Sequence, residues 1–261
     1  MNNIEKIIEI KDLKMTYGDK EVLKGINLDI YKGNIIGYIG SNGAGKSTTI
    51  KILLGLVKGY SGSVSIFGKD IENENNDYKQ KIGYVPEIAK VYESLTAKEY
   101  LTFVGQIYGL SYEKCDDKAR KLMRVLGIDY AYDSRLSSFS KGMKQKVVII
   151  SALLHNPDIL FLDEPLSGLD ANSLLLIKEI LYKLKQEGKT IFYSSHIMEV
   201  VEKLSDRIIL LNEGEIVADG NFEEIKDSSF DGSLEEIFNQ LTGFKKHNDL
   251  SSEFVSILKE V

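Results

Sequence analysis

The chain has a single cysteine, Cys115, so no internal disulfide can staple the fold, which suits a reducing cytosol. It sits in the polar stretch Glu113-Lys114-Cys115-Asp116-Asp117 and reads as a surface position without a role. No apolar run approaches the roughly 18 residues of a membrane span. The longest, from Val147 to Leu154 with Ser151 inside it, is too short. The first residues, Met1 to Lys6, lack a basic region followed by an apolar one, so no signal peptide is expected. No internal repeat or low-complexity tract stands out. The net charge of −6 gives no argument for wholesale nucleic-acid binding. A length of 261 residues fits one large domain or two small ones.

What the chain does hold is a phosphate-binding pattern. Gly40-Ser41-Asn42-Gly43-Ala44-Gly45-Lys46-Ser47-Thr48 fits G-x-x-x-x-G-K-[ST]. The apolar run Asn34 to Ile39 before it reads as a buried strand, and Thr49 to Leu56 after it has helical spacing. Strand, glycine loop and helix together are what the chemistry needs. The glycines let backbone N–H groups surround phosphate oxygens, and the helix N-terminus adds its own donors and positive dipole end. Lys46 is placed to reach β- and γ-phosphates, and the Ser47 hydroxyl to hold Mg²⁺.

Around this loop the spacing predicts short strands with turns over residues 4–37 and a further strand over 63–68. A polar loop or short helix follows, then a strand that stops at Pro86. Tyr17, about two dozen residues before the loop, offers either a stacking face for a base or an ordinary half-buried strand tyrosine. From Leu95 to Leu126 the period turns helical, with a capping box at Thr96-Ala97-Lys98-Glu99. A mostly helical unit is thus inserted into an α/β frame. Ser140 caps another helix, whose first turns carry Lys141, Lys144 and Lys146. Cations there oppose the helix dipole. Either a phosphate is presented to this helix end or the lysines point into water.

Ile159 to Leu162 reads as a buried strand that ends in Asp163-Glu164-Pro165. Two carboxylates at a strand terminus divide the labour: Asp163 for Mg²⁺, Glu164 to orient and deprotonate an attacking water. After Ser167-Gly168-Leu169-Asp170 a helix runs from about Ser173 to Gln186, then a strand ends at His196. That is where open α/β sheets bind ligands, so His196 is a candidate γ-phosphate contact. A hairpin signal covers residues 207–218. In the tail, Leu250, Phe254, Ile257, Leu258 and Val261 share one face of a final helix, expected to pack on the body.

With these pieces in order, residues 7–220 resemble the ATP-binding subunit of an ABC transporter. By resemblance, Tyr17 is the adenine-stacking aromatic and Gly40 to Ser47 the Walker A loop. Glu87 holds the Q-loop position, and Phe139-Ser140-Lys141-Gly142-Met143 the signature. Ile159 to Glu164 is Walker B with Glu164 as catalytic base, Ser167 to Asp170 the D-loop, and His196 the switch histidine. The family fold this implies is α/β: a RecA-like P-loop NTPase core with a small antiparallel β subdomain and an inserted helical subdomain. The ATPase domain would span 1–220, the helical insert about 88–145, and a C-terminal helical extension 221–261.

The resemblance further implies ATP and Mg²⁺ as ligands, with Ser47, Asp163 and Glu87 at the metal. It implies a second ATPase subunit paired head to tail, homo- or heterodimer, with Ser140, Lys141 and Gly142 meeting ATP in trans. It implies a separate integral-membrane permease, a cytoplasmic position peripheral on the inner face of the cell membrane, and no nucleic-acid partner. Glu87 departs from the family's glutamine and adds negative charge beside the metal and Glu164. Lys141 and Met143 replace Gly and Gln of the signature. Both variants look like those of bacterial exporters with separate permeases. The competing reading is a non-transport ABC-type ATPase acting on nucleic acid or the ribosome.

Overall fold

The computed structural model describes residues 5–72, 76–195, 197–227, 232–243 and 247–259. In place of several short strands, the chain opens with two twelve-residue strands, β1 (Lys6–Tyr17) and β2 (Lys20–Tyr31). They pair antiparallel through several register shifts, which absorb the length. β3 (Ile35–Gly40), α1 (Lys46–Leu53), β4 (Ser61–Ile66), β5 (Lys69–Asp70) and β6 (Ile82–Val85) follow. Then come α2 (Ala97–Ile107), α3 (Tyr112–Val125), α4 (Lys141–Leu153) and β7 (Ile159–Asp163). α5 (Ala171–Gln186), β8 (Thr190–Ser194), α6 (Met198–Leu204), β9 (Arg207–Asn212) and β10 (Glu215–Gly220) complete the core. α7 (Phe222–Asp227), α8 (Leu234–Leu241) and α9 (His247–Lys259) form the tail.

Two sheets result. The four-stranded one has the order β2-β1-β4-β5 and is antiparallel. The six-stranded one has the order β10-β9-β3-β8-β7-β6, with β10 alone antiparallel. This is the α/β P-loop core, antiparallel β piece and helical insert that the sequence led us to expect. β3, β7 and β8 are buried along their whole length, as strands covered on both faces must be. Their residues alternate between two cores. Ile35, Ile39, Leu160, Leu162, Ile191 and Tyr193 face a core shared with α2 to α5. Ile36, Tyr38, Ile159, Phe161 and Phe192 face one shared with the antiparallel sheet and α1.

The helical insert is tied down by caps and by close approach. Thr96 and Glu99 make the expected capping box, and Ser140 Oγ accepts the Met143 N–H. Cys115 is a correction. It is fully buried, because its phase on α3 places it with Ala119 and Met123 against α2. A polar neighbourhood in sequence had hidden a helical stripe. The final helix is a second correction. Phe254 is 64 % exposed, Ile257 58 % and Leu258 68 %, so this face does not pack on the body. Leu250, by its side chain, and Val261 lie outside the described residues. α8 does dock, with Leu234 and Ile237 fully buried. Among the described residues no helix is long and apolar enough to cross a membrane.

α2 and α3 touch at Gly105, where a Cβ would stand 2.4 Å from Cys115 Sγ. A side chain at that point forces the two helices apart. Gly105→Val should therefore destabilise the chain by about 1–3 kcal/mol. Thermal unfolding measures this, and a melting point equal to the parent's would mean that the helices have room to yield.

Candidate nucleotide site

The loop between β3 and α1 sits at the carboxyl edge of the parallel strands. Its fold is held from below. Ser41 O accepts the Ala44 N–H, Ala44 O accepts the Gly214 N–H, and Thr49 Oγ1 donates to Gly45 O while accepting the Tyr38 hydroxyl at 3.1 Å. Gly43 has φ +82° and open space where a Cβ would stand. That leaves its backbone free to face a ligand. Lys46 Nζ donates to Gly40 O at 2.6 Å and Ser41 O at 3.1 Å, across the mouth of the loop. Burial pulls the Lys46 ammonium below the usual lysine range, and the charges of Asp163, Glu164 and Glu87 pull it back up.

These groups border one cleft of about 270 Å³. Tyr17 reaches it from the end of β1, nearly half exposed at 47 %. Ser41, Asn42, Gly43, Gly45, Lys46, Ser47 and Thr48 of the loop line it, together with Glu87, Asp163 and Glu164. The cleft thus brings loop backbone and a lysine together with three carboxylates. Gly40 lies behind the loop and accepts from Lys46, while Ala44 is 2 % exposed and packs inward. The sequence reading missed Lys20, Val22 and Ser194, which also line the cleft. Lys20 and Val22 follow Tyr17 around a hairpin, a signal the sequence held. Ser194 becomes visible only when β8 is seen beside β7.

Asp163 ends β7, 8 % exposed, and accepts the Ser194 hydroxyl at 2.8 Å. Glu164 follows in the left-handed region with φ +48°. A non-glycine residue rarely adopts that conformation, and the surroundings must impose it. Its N–H donates to Ser194 O at 3.0 Å, its C=O accepts the Ser167 N–H, and its Oε2 accepts the Ser195 hydroxyl at 3.2 Å. Among the described residues no group of three or more His, Cys, Asp or Glu stands ready to hold a metal. A hydroxyl from Ser47 and carboxylates from Asp163 and Glu87 on one cleft suit Mg²⁺ whose remaining ligands are phosphate oxygens and water. His196 lies outside the described residues.

Ser140, Lys141, Gly142 and Asp170 are not among the residues that border this cleft. They gather where α4 meets the segment after Glu164. A Cβ on Gly142 would lie 2.8 Å from Gly168 O, so only glycine permits that approach. Lys141 Nζ is 3.4 Å from Ser167 Oγ. Asp170 caps α5 through the Ser173 N–H and hydroxyl and stands 3.8 Å from Lys146 Nζ. Lys144 pairs with Glu93, and Lys146 donates to Leu126 O. The lysines at this helix start are therefore met partly from within the chain, by Glu93 and Asp170. That is an outcome neither of the two sequence alternatives contained.

Comparison with known proteins adds the following. The family model described as "ABC transporter" matches residues 23–167. The linearmycin resistance ATP-binding protein LnrL of Bacillus subtilis is 40 % identical over 214 residues, covering 82 % of this chain and 69 % of that protein. The Nod factor export ATP-binding protein I of Burkholderia lata is 32 % identical over 254 residues, covering 94 % of this chain and 84 % of that protein. A solved dimeric structure, the post-hydrolysis state of the ATP-binding cassette MJ0796 bound to ADP and Pi, superposes with a TM-score of 0.76 at 27 % identity. It covers 82 % of this chain and 98 % of that one.

An aromatic face at the cleft's rim acts on a base and not on phosphates. Tyr17→Ala should weaken ATP by about 1–3 kcal/mol and leave inorganic triphosphate unaffected. Equilibrium titration of both ligands tests this, and equal losses would return Tyr17 to a structural part.

Proposed function

The chain belongs to the ABC transporter family of ATP-binding subunits, and from that premise we propose that it burns ATP in the cleft beside Lys46 to drive export through a separate integral-membrane permease. ATP binding and hydrolysis are the family's activity. The observation that carries the site assignment is the meeting of Tyr17, Lys46, Ser47, Glu87, Asp163 and Glu164 on one cleft.

Each residue then has a part. Tyr17 stacks on adenine. The N–H groups from Ser41 to Thr48 and the start of α1 wrap the phosphates, and Gly40 and Ala44 set the loop's shape. Lys46 leaves the Gly40 and Ser41 carbonyls for the β- and γ-phosphates. Ser47 and Asp163 hold Mg²⁺, with Glu87 beside them. When bound, the ion neutralises charge that builds on the phosphate oxygens. Glu164 orients the attacking water and takes its proton, and His196 contacts the γ-phosphate.

A second subunit, identical or not, completes the site. Ser140, Lys141, Gly142 and the start of α4 meet the γ-phosphate held by the other copy's loop, while Asp170 ties the D-loop to the same helix. Two features support this: the signature stands apart from its own chain's cleft, and a relative of known structure is dimeric with ADP and Pi. Loss of the γ-phosphate removes the link and lets the pair open. The working division is an ATPase domain over 1–220 with a helical insert at about 88–145, and an extension over 221–261. The chain would sit peripherally on the cytoplasmic face of the membrane. Its permease would dock near Glu87, where Ile88 and Tyr92 are exposed. Tyr100 and Tyr108 are packing residues, the first buried and the second stacked on His155. The likeness to proteins named for export and for resistance supports the outward direction.

Glu164→Gln should keep ATP binding and lose turnover by a factor of about 10²–10⁴, the usual worth of a general base. Comparable hydrolysis in that variant would move the base elsewhere, with Glu87 the first suspect. Purification of the tagged chain from its host's membranes in mild detergent should bring a stoichiometric polytopic membrane protein. A chain that stays out of the membrane fraction, or that arrives with ribosomes or nucleic acid, would overturn the transport claim and leave the ATP chemistry intact.

A further inference from the structure

The two carboxylates that end β7 face two serines that end β8. The strands are parallel and in register, with Asp163 opposite Ser194 as the last pair, and Glu164 and Ser195 follow just beyond the two strand ends. Both serines are buried, at 1 % and 2 % exposure, so neither hydroxyl has bulk water as a partner. A buried hydroxyl must find its hydrogen bonds inside the protein. Ser194 Oγ donates to Asp163 Oδ1 at 2.8 Å. Ser195 Oγ donates to Glu164 Oε2 at 3.2 Å and accepts the Ile197 N–H at 3.1 Å. That backbone donor occupies one lone pair of Ser195 and leaves its proton to point at the carboxylate.

From this ladder we propose that Ser194 and Ser195 are positioning residues for the ATPase reaction, one for each carboxylate. The proposal rests on the reading of Asp163 and Glu164 given above. Ser194 engages Oδ1 of Asp163 and so presents Oδ2 to the cleft, where the metal would lie. Such outer hydrogen bonds fix the angle of a ligating carboxylate and set its affinity. Ser195 engages Oε2 of Glu164 and so holds the orientation of the carboxylate that takes the water's proton. Glu164 sits on a left-handed backbone, φ +48°, which its surroundings impose, and the Ser195 hydroxyl adds a hold on its side chain. The two serines divide the work as the two carboxylates do: Ser194 acts on metal binding, Ser195 on the proton transfer.

The test separates these effects in the full-length chain. For Ser194→Ala, affinity for a fluorescent ATP analogue without metal should match the parent. The gain in affinity on adding Mg²⁺ should shrink about tenfold or more. That readout needs no turnover. For Ser195→Ala, the Mg²⁺-dependent gain and KM should stay, while kcat falls about tenfold or more, the worth of one hydrogen bond to a charged group. Ser194→Thr and Ser195→Thr keep the hydroxyl and should restore each property. Should alanine melt the core, cysteine is close in size and only a weak donor, and it carries the same comparison. A parent-like Mg²⁺ response in Ser194→Ala, a parent-like kcat in Ser195→Ala, or threonine variants as impaired as the alanine ones would overturn the proposal. Glu164→Gln run alongside keeps the two levels apart. If it hydrolyses ATP as the parent does, the site reading falls; if it is inactive while the serine variants are normal, only the ladder falls.

Discussion

Everything at the site depends on parallel strands ending together. β3, β8 and β7 lie side by side in register, so the loop after β3, the serines of β8 and the carboxylates of β7 emerge at one edge. A triphosphate is a dense anion and costs heavily to hold unless donors are fixed in advance. Backbone N–H groups at a helix start are such donors, and they are fixed in advance because β3 is buried along its whole length and α1 buries Thr49, Ile50, Ile52 and Leu53. The carboxylates Glu87, Asp163 and Glu164 border the same cleft as the loop. Lys46 feels both sides of this balance, because burial disfavours its charge while Asp163, Glu164 and Glu87 favour it.

A second constraint joins the start of α4, where the helical insert ends, to this edge. Gln145 of α4 is 2 % exposed and donates through Nε2 to Pro165 O at 2.9 Å, one residue beyond Glu164. Lys141 near Ser167, Gly142 against Gly168 and Lys146 beside Asp170 extend the same seam. Four successive contacts of this kind bind the start of α4 to the segment that carries Glu164. A shift of the signature helix cannot then leave Glu164 untouched, because the two share a continuous hydrogen-bonded and close-packed boundary. In the head-to-tail pair proposed above, this boundary would let the state of one nucleotide site be felt at the other.

The tail shows where amphipathic pattern stops being informative. α8 and α9 both carry an apolar stripe, yet α8 buries Leu234 and Ile237 against the body while α9 leaves Phe254, Ile257 and Leu258 exposed. The stripe says that a helix has an apolar face. It does not say whether the body offers a groove at the point the chain has reached.

The sequence by itself determined the local chemistry. The loop from Gly40 to Thr48, the carboxylates Asp163 and Glu164, the capping box at Thr96 and the burial of β3, β7 and β8 follow from residue type and near-neighbour spacing. These are short-range properties, and a few consecutive residues specify them. Tertiary structure alone decided what depends on neighbours far apart in the chain. It buried Cys115 against Gly105, set Glu93 and Asp170 to meet the lysines of α4, and brought Ser194 and Ser195 beside Asp163 and Glu164 across thirty-one residues of sequence. Strand order and helix crossing fix those pairs. Both are settled by how the whole set of apolar faces packs, which no local stretch of sequence contains.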